Sequence, residues 1–262
     1  MIRIHRGPPP SALASVRAEE LRRVRDARRR GVLYELGDRY NSEEARQALY
    51  EAQAWKCCYC EIPIQSRAYP IEHFRPKGKA KHGPTFPGHE GYWWLTWTWE
   101  NLMLACPTCN STKLDNFPLD PRGRVLPRGR KPPGPERAML LDPMSEDPTA
   151  SIEFAHRGGH WMPFPRNGCL RGAATIRSLG LSTPTWLNRY DDYVVEFIEP
   201  KAAVIRARIA GDDHPGITAA WNEATRFLLG PRSLFKALSY DVLNQEFSPG
   251  VRARFGLILP RP

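Results

Sequence analysis

The sequence predicts an α+β protein, with a small core held by cysteines between a helical N-terminal segment and a mostly helical C-terminal region. Two C-x2-C motifs mark the core, and apolar residues at helical spacing lie on both sides of it. A basic segment rich in proline and glycine follows the core. A chain of 262 residues that is 41% hydrophobic can bury a real core, which excludes a disordered chain and a miniature disulfide scaffold.

The charge balance favours a nucleic-acid partner. Lysine and arginine number 38 against 28 acidic residues, so the formal net charge is +10, and such an excess attracts polyanions. No stretch reaches the roughly 18 apolar residues of a membrane span, and the chain begins without the apolar centre of a signal peptide. We therefore expect a cytoplasmic protein with no membrane partner, whose six cysteines serve a purpose other than disulfides.

Two helices are predicted in the N-terminal segment. The first covers about 11–30, with apolar residues on one face and arginines on the other. The second runs from Asn41 to about Trp55, and Asn41 with Glu44 is typical of a capping box. The arginine run at 22–30 fits phosphate binding and a solvated helix face equally well.

The composition divides the chain into four parts. They are a helical N-terminal segment (1–54), the cysteine-bound core (55–119), a basic Pro/Gly-rich linker or loop (120–138) and a mostly helical C-terminal region (139–262). The last part carries a predicted strand at Ser151–Ala155 and no motif with evident chemistry. Its helices are predicted at about 184–198, 201–211, 217–229 and 232–246, with Pro200 interrupting the first two.

The cysteines form two pairs with the spacing of metal ligands. The pairs are Cys57 with Cys60 and Cys106 with Cys109. Each tight turn presents two thiolates to one ion, and two turns complete a closed tetrahedral site, so we predict one structural zinc. Buried thiols and a redox pair are the alternatives, but a redox pair requires a thioredoxin-like context that is absent. Cys58 and Cys169 are expected to be plain buried thiols.

Between and beside these pairs lie residues suited to phosphodiester hydrolysis. Such hydrolysis needs a base for water and a cation for the phosphoryl oxygens. His73 titrates near neutrality and suits the first role, while oxygens of Glu72 and Asn110 suit a magnesium ion. Further candidates are Asn101 as part of this constellation and Arg75, Lys77 and Lys113 as substrate-binding countercharges to a phosphate backbone.

This pattern resembles a known family. The order C-x2-C, Glu-His, Asn, C-x2-C-Asn-x2-Lys over about 55–119 is similar to the HNH, or ββα-metal, endonucleases with a four-cysteine zinc staple. Over most of its length the chain also resembles the PtuB-like HNH effector subunits of Septu-type and retron-associated anti-phage defence systems. The segments that carry this resemblance are EHFRPK, YWWLTWTWENLMLACPTCNSTK, NFPL and LLDPMSEDP.

The resemblance implies a ββα-metal core and a role for each motif residue. His73 would be the general base, Glu72 and Asn110 would hold catalytic Mg²⁺ or Mn²⁺, and Asn101 would fix the loop that orients His73. The four paired cysteines would bind zinc. Here Glu72 stands where aspartate is common and Asn110 replaces the last histidine, so the chain is an H-N-N variant. The resemblance also implies cleavage to a 5′-phosphate and a 3′-hydroxyl.

Simpler interpretations stay open for several residues. Neighbours on a strand point to opposite faces, which would leave His73 as a surface or capping residue. Asn110 suits a helix cap as well as a metal ligand. The tryptophan cluster at 93–99 suits core packing and, less well, stacking on bases.

We therefore expect a metal-dependent nuclease, with a non-enzymatic zinc module that binds nucleic acid as the alternative. DNA is the first expected substrate and RNA the second. The resemblance further implies an ABC/SMC-like ATPase subunit, PtuA-like, as a partner that docks on the helices between about 184 and 246, with or without the N-terminal helix 11–30. The alternative is that these helices only pack on one another as a scaffold.

Overall fold

A computed structural model describes residues 1–66, 68–84, 86 and 90–262. Contacts divide the chain into two compact units. The N-terminal unit comprises Ile4–Tyr59 and Pro63–Glu146, and the C-terminal unit comprises Asp147–Pro262 with Met1–Arg3 and Cys60–Ile62. The predicted four-part division into domains stays a prediction. Within the described residues, no helix is both long enough and apolar enough to cross a membrane.

The first two helices of the N-terminal unit lie close to where the sequence predicts them. Helix α1 covers Ser11–Arg29 and buries Leu13, Leu21 and Val24, which confirms its amphipathic pattern. Helix α2 covers Glu43–Ala52. The predicted Asn41–Glu44 capping box is wrong, because Ser42 is the N-cap and its hydroxyl accepts from the amide of Ala45 at 3.2 Å.

Two short strands and one helix follow. Strand β1 (Ile71–His73) pairs antiparallel with strand β2 (Leu102–Leu104), and helix α3 (Pro107–Lys113) comes directly after β2. Every residue of both strands is buried. The register pairs Glu72 with Met103 and His73 with Leu102. Pairing with β2 therefore fixes the positions of the two catalytic candidates along β1.

The tryptophan cluster lies in the core of this unit. Trp94 and Trp97 are 1% and 0% exposed, and Trp93 and Trp99 are also buried. Rings so enclosed cannot stack on bases, so the expectation of core packing is confirmed. Tyr59, Phe74 and Phe117 belong to the same buried set.

The Pro/Gly-rich segment 120–138 is a loop that folds back on itself within the N-terminal unit. It contains turns and bends, and the amide of Asp120 donates to the carbonyl of Arg137 at 2.8 Å. Leu126 is buried, and the indole of Trp94 donates to the carbonyl of Arg130 at 2.8 Å. These contacts make the segment a loop packed on the tryptophan cluster rather than an extended linker.

A β-hairpin begins the regular structure of the C-terminal unit. Strands β3 (Ile152–Arg157) and β4 (His160–Pro165) pair antiparallel around Gly158 and Gly159, whose φ angles are 59° and 86°. Positive φ at both turn residues is the requirement of a two-residue hairpin turn, and glycine meets it without strain. The predicted strand Ser151–Ala155 is thus confirmed as part of β3.

Helices pack on this hairpin and on one another. They are α4 (Leu170–Ser178), α5 (Pro184–Tyr193), α6 (Glu199–Ala210), α7 (His214–Leu229), α8 (Lys236–Glu246) and α9 (Pro249–Arg254). Helices α4 and α5 contact β4, α8 contacts β3, and α6 packs along α7. Their buried faces carry the aromatic and aliphatic core, including Tyr190, Trp221 and Leu238.

The predicted interruption at Pro200 is wrong. A turn of π-helix, Val194–Ile198, joins α5 to α6, and Ile198 and Glu199 keep right-handed helical φ and ψ. Proline lacks an amide proton and its ring clashes with the carbonyl four residues earlier, and the wider π turn removes that conflict. Pro200 therefore lies in the first turn of α6 instead of interrupting the helix.

Candidate functional site

The four paired cysteines lie together. Their Sγ atoms, from Cys57, Cys60, Cys106 and Cys109, are all within 4.8 Å of one another, and the four residues are buried. A tetrahedral zinc with bonds of about 2.3 Å holds its sulfurs roughly 3.8 Å apart, so the cluster has the size of a zinc site. Among the described residues, this is the one group of three or more Cys, His, Asp or Glu close enough to bind a metal ion.

Backbone amides donate to these sulfurs. The amide of Cys106 donates to Cys57 Sγ at 3.3 Å, and the amide of Cys109 donates to Cys106 Sγ at 3.4 Å. Hydrogen bonds to sulfur favour the thiolate, which is the form that binds zinc. Four buried sulfurs with this support can bind one zinc ion.

Strand β1 brings Glu72 and His73 to a cavity of about 440 Å³ in the N-terminal unit. Both residues are buried, at 4% and 7% exposure, and both line the cavity. Neighbours on a regular strand point to opposite faces, but both of these residues line the same cavity and both are buried. The structure therefore places His73 inside the unit rather than on its surface.

Glu72 is held by two donors. Its Oε1 lies 2.6 Å from Lys113 Nζ and 3.2 Å from the hydroxyl of Tyr59. Burial raises the pKa of Glu72 above its usual value, and the ammonium of Lys113 acts in the opposite direction. The same Lys113 Nζ donates to the carbonyl of His73 at 3.1 Å. Lys113 of α3 thus contacts both Glu72 and His73 of β1.

The ring of His73 is held in one tautomer. Its Nε2 lies 2.9 Å from the carbonyl oxygen of Thr96, which only accepts, so Nε2 carries the proton and Nδ1 keeps a lone pair. Burial and the positive charges of Lys77 and Lys113 lower the pKa of His73 to about 3. The imidazole is therefore neutral at pH 7 and keeps its lone pair at Nδ1, although a pKa this low makes it a weaker base than a free imidazole.

Asn101 connects the chain after β1 to the loop that contacts His73. Its Oδ1 accepts from the amide of Arg75 at 2.8 Å, and its Nδ2 donates to the carbonyls of Arg75 at 3.0 Å and Leu95 at 3.4 Å. Leu95 directly precedes Thr96, whose carbonyl holds the His73 ring. The amide of Asn101 is thus placed to fix that carbonyl.

Helix α3 brings Asn110 to the same cavity, where it is half-buried. Magnesium is commonly held by one or two protein oxygens together with water and substrate phosphate. Glu72 and Asn110 both line this cavity, and a carboxylate and an amide are oxygen ligands of the kind that a divalent ion accepts, so the chemistry of the two residues suits such an ion, although here the Glu72 carboxylate is paired with Lys113. Lysines at 77, 79 and 81 border the opening.

Two of the expected substrate-binding residues are not at this opening. Arg75 is 8% exposed, and its guanidinium pairs with Glu136 at 2.8 Å. Lys113 is fully buried against Glu72. The structure places only Lys77 of the three expected cations in the cavity wall.

Three residues that contact the site were not anticipated from the sequence. They are Tyr40, whose ring meets that of His73 at 4.6 Å, Tyr59, which donates to Glu72, and Thr96, which accepts from His73. Tyr59 stands inside the first C-x2-C motif, which is a local signal. Tyr40 lies outside the recognised motif, so only the folded chain reveals its place.

Comparisons with known proteins agree with the similarity that the motifs indicate. No protein-family model matches the chain, and no solved structure matches it. The chain is 26% identical over 106 residues to Septu protein PtuA of Bacillus mycoides (strain KBAB4), which covers 39% of this chain and 15% of that protein.

A stronger match is to a second protein of the same organism. The chain is 36% identical over 128 residues, 45% of its own length, to Septu protein PtuB of Bacillus mycoides (strain KBAB4). The matched region spans about two fifths, 41%, of the length of that relative. The buried four-cysteine cluster fits the zinc staple expected from the sequence. The resemblance to PtuB that the motifs indicate is therefore confirmed as sequence similarity to Septu protein PtuB.

Proposed function

We propose that the chain is a metal-dependent HNH endonuclease that hydrolyses phosphodiester bonds of nucleic acid as the effector subunit of an anti-phage defence complex. The observation that carries this proposal is the His73 ring, held through Nε2 by the Thr96 carbonyl, in a cavity that Glu72, Asn110 and three lysines also line. Similarity to two Septu proteins supports the defence role. The order β1, β2, α3 supports the ββα-metal type.

In this mechanism His73 Nδ1 takes a proton from water. The resulting hydroxide attacks phosphorus, the bond from phosphorus to the 3′ oxygen breaks, and that oxygen takes a proton from solvent. Glu72 and Asn110 would hold the divalent ion, which would stabilise negative charge on the phosphoryl and leaving oxygens. Asn101 fixes the loop whose carbonyl keeps His73 in the required tautomer.

The substrate backbone would lie at the open side of the cavity. Lys77, Lys79 and Lys81 border this side, while Asp115 pairs with Lys81 at 3.1 Å. Phosphate contacts from such lysines position a strand without reading its sequence. The net charge of +10 adds long-range attraction for the polyanion.

Incubation of the purified chain with plasmid DNA and with total tRNA, in Mg²⁺ or Mn²⁺, tests this function. We expect cleavage that requires the divalent ion and disappears in His73→Ala, because His73 is the one histidine among the described residues that line the cavity. Zinc content and the circular dichroism spectrum of His73→Ala establish that the variant is folded. Binding without cleavage by the wild type would instead support a non-enzymatic zinc module.

The implied partner is an ABC/SMC-like ATPase subunit of PtuA type. An unrestrained basic nuclease would threaten its own cell, so restraint by a partner is expected. The C-terminal unit carries no part of the proposed cavity and is the region that we propose for docking.

A further inference from the structure

We propose that Tyr40, together with Lys77, binds a phosphate of the substrate and positions the His73 ring. This inference rests on the proposed nuclease function and assigns a substrate-binding residue outside the motif that predicts the function. Tyr40 lies in the turn between α1 and α2, where the amide of Asn41 donates to the carbonyl of Asp38 at 2.7 Å.

Three contacts place Tyr40 in the site. Its ring centroid lies 4.6 Å from that of His73, with the planes at 82°. Its hydroxyl accepts a hydrogen bond from Lys77 Nζ at 2.7 Å, and the same Nζ lies 4.5 Å from the ring centroid. Both Tyr40 and Lys77 line the cavity of His73 and Asn110.

The hydrogen-bond inventory of this pair suits an anion. The ammonium of Lys77 gives one proton to Tyr40 and keeps two more to donate, and the Tyr40 hydroxyl still has its own proton. The ammonium and the hydroxyl, side by side, therefore offer several donors beside the His73 ring. Non-bridging oxygens of a phosphodiester are the acceptors that match them.

The ring contact gives Tyr40 its second role. The Thr96 carbonyl fixes one nitrogen of His73, and the edge-to-face contact with Tyr40 limits rotation of the ring about that hydrogen bond. A base must lie within hydrogen-bond reach of its water, so a fixed ring plane favours the reaction. The hydroxyl and the ring of Tyr40 can thus be tested separately.

Tyr40→Phe removes the hydroxyl and keeps the ring. We expect its KM for an oligonucleotide substrate to rise about threefold to tenfold with kcat little changed, since a substrate hydrogen bond is lost. Tyr40→Ala should lower kcat as well.

Lys77→Met should weaken binding and reduce the slope of log affinity against log salt by about one, whereas Tyr40→Phe should leave that slope unchanged. The double variant Tyr40→Phe/Lys77→Met should be little worse than Lys77→Met, because the two act together.

Tyr34→Phe is the matched control. The Tyr34 hydroxyl donates to Glu20 at 2.6 Å and does not border the cavity, so its loss should change melting temperature but not KM. The side-chain nitrogen NMR signals of His73, which need no activity, should shift in Tyr40→Ala and not in Tyr34→Phe.

The outcomes separate the two proposals. If the wild type neither binds nor cuts nucleic acid, the proposed function fails, and the phosphate role of Tyr40 fails with it. If the wild type cuts and Tyr40→Phe matches Tyr34→Phe in KM, this inference alone is overturned. Unchanged His73 signals in Tyr40→Ala would overturn the positioning role.

Discussion

The burial of Lys113 affects the stability of the protein in a way that its position in the motif does not suggest. Its ammonium is 0% exposed and lies 2.6 Å from the carboxylate of Glu72, which is 5% exposed. Removing one partner of a buried pair leaves the other charge without compensation, and this costs more than the pair itself contributes. We expect Lys113→Met to lower the free energy of unfolding by at least about 3 kcal/mol, measured by urea denaturation.

The double variant Glu72→Gln/Lys113→Met provides the internal check. It removes both charges, so it should recover part of the lost stability. Lys81→Met is the external control, because Lys81 is 69% exposed and its pair with Asp115 is a surface one. Equal stability losses for Lys113→Met and Lys81→Met would contradict the buried-pair argument.

The cationic residues of the motif show which features of the site a sequence can predict. The motif specifies that cations occur at 75, 77 and 113, and phosphate binding was the simplest interpretation. Whether a cation faces solvent depends on partners distant in sequence, namely Glu136 for Arg75 and Glu72 for Lys113. Burial set by such long-range pairing has no local signal.

The start of α2 provides a test at the level of a single element. Ser42 accepts the Ala45 amide at 3.2 Å, whereas the buried Oδ1 of Asn41 has no hydrogen-bond partner among the residues that the structure describes. Ser42→Ala should therefore lower the free energy of unfolding by about 1 kcal/mol, since a helix N-cap is lost. Thermal denaturation of Asn41→Ala beside it decides which residue caps the helix, and a larger loss for Asn41→Ala would restore the capping box.

The cysteine pairs can be tested with a neighbouring thiol as control. Cys106→Ser should release zinc and lower the melting temperature strongly, because binding energy of a structural zinc is folding energy. Cys58 is buried beside a ligand but lies outside the cluster. Cys58→Ser should retain one zinc per chain by metal analysis, and zinc loss in both variants would argue against the assigned ligands.

Helices were more predictable than strands. The apolar spacing of α1 and α7 is local and regular, so their positions follow from the sequence. Strand β4 was missed because Pro163 and Pro165 demote a strand prediction, although an edge strand tolerates proline where no ladder amide is needed. The π turn before Pro200 allows the helix to continue past a proline, and the amino-acid composition of the segment does not predict such a turn.

At the scale of the whole molecule, the C-terminal unit offers a surface that its own fold leaves open. A groove of about 800 Å³ lies between α5, the π turn, α7 and the loop after α7, with Phe197, Phe227 and Leu234 in its wall. Phe227 is 49% exposed. Arg226 and Arg232 line the same groove and are exposed, whereas Glu223 in its wall is paired with Lys201 at 3.3 Å, so the groove combines apolar surface with a net positive charge. An acidic segment with apolar side chains is the complementary occupant.

We expect the ABC/SMC-like ATPase subunit to supply that segment. Phe227→Asp should abolish co-elution with the co-expressed ATPase in size-exclusion chromatography, and Arg226→Glu/Arg232→Glu should weaken it in a salt-dependent way, because one change removes apolar contact and the other reverses the charge. Val204→Asp, at a residue 51% exposed but outside the groove, is the matched control and should leave the complex intact. Nuclease activity of each variant measured alone should equal that of the wild type, since the proposed cavity is in the other unit. A complex that survives both groove variants would place the ATPase elsewhere on the chain.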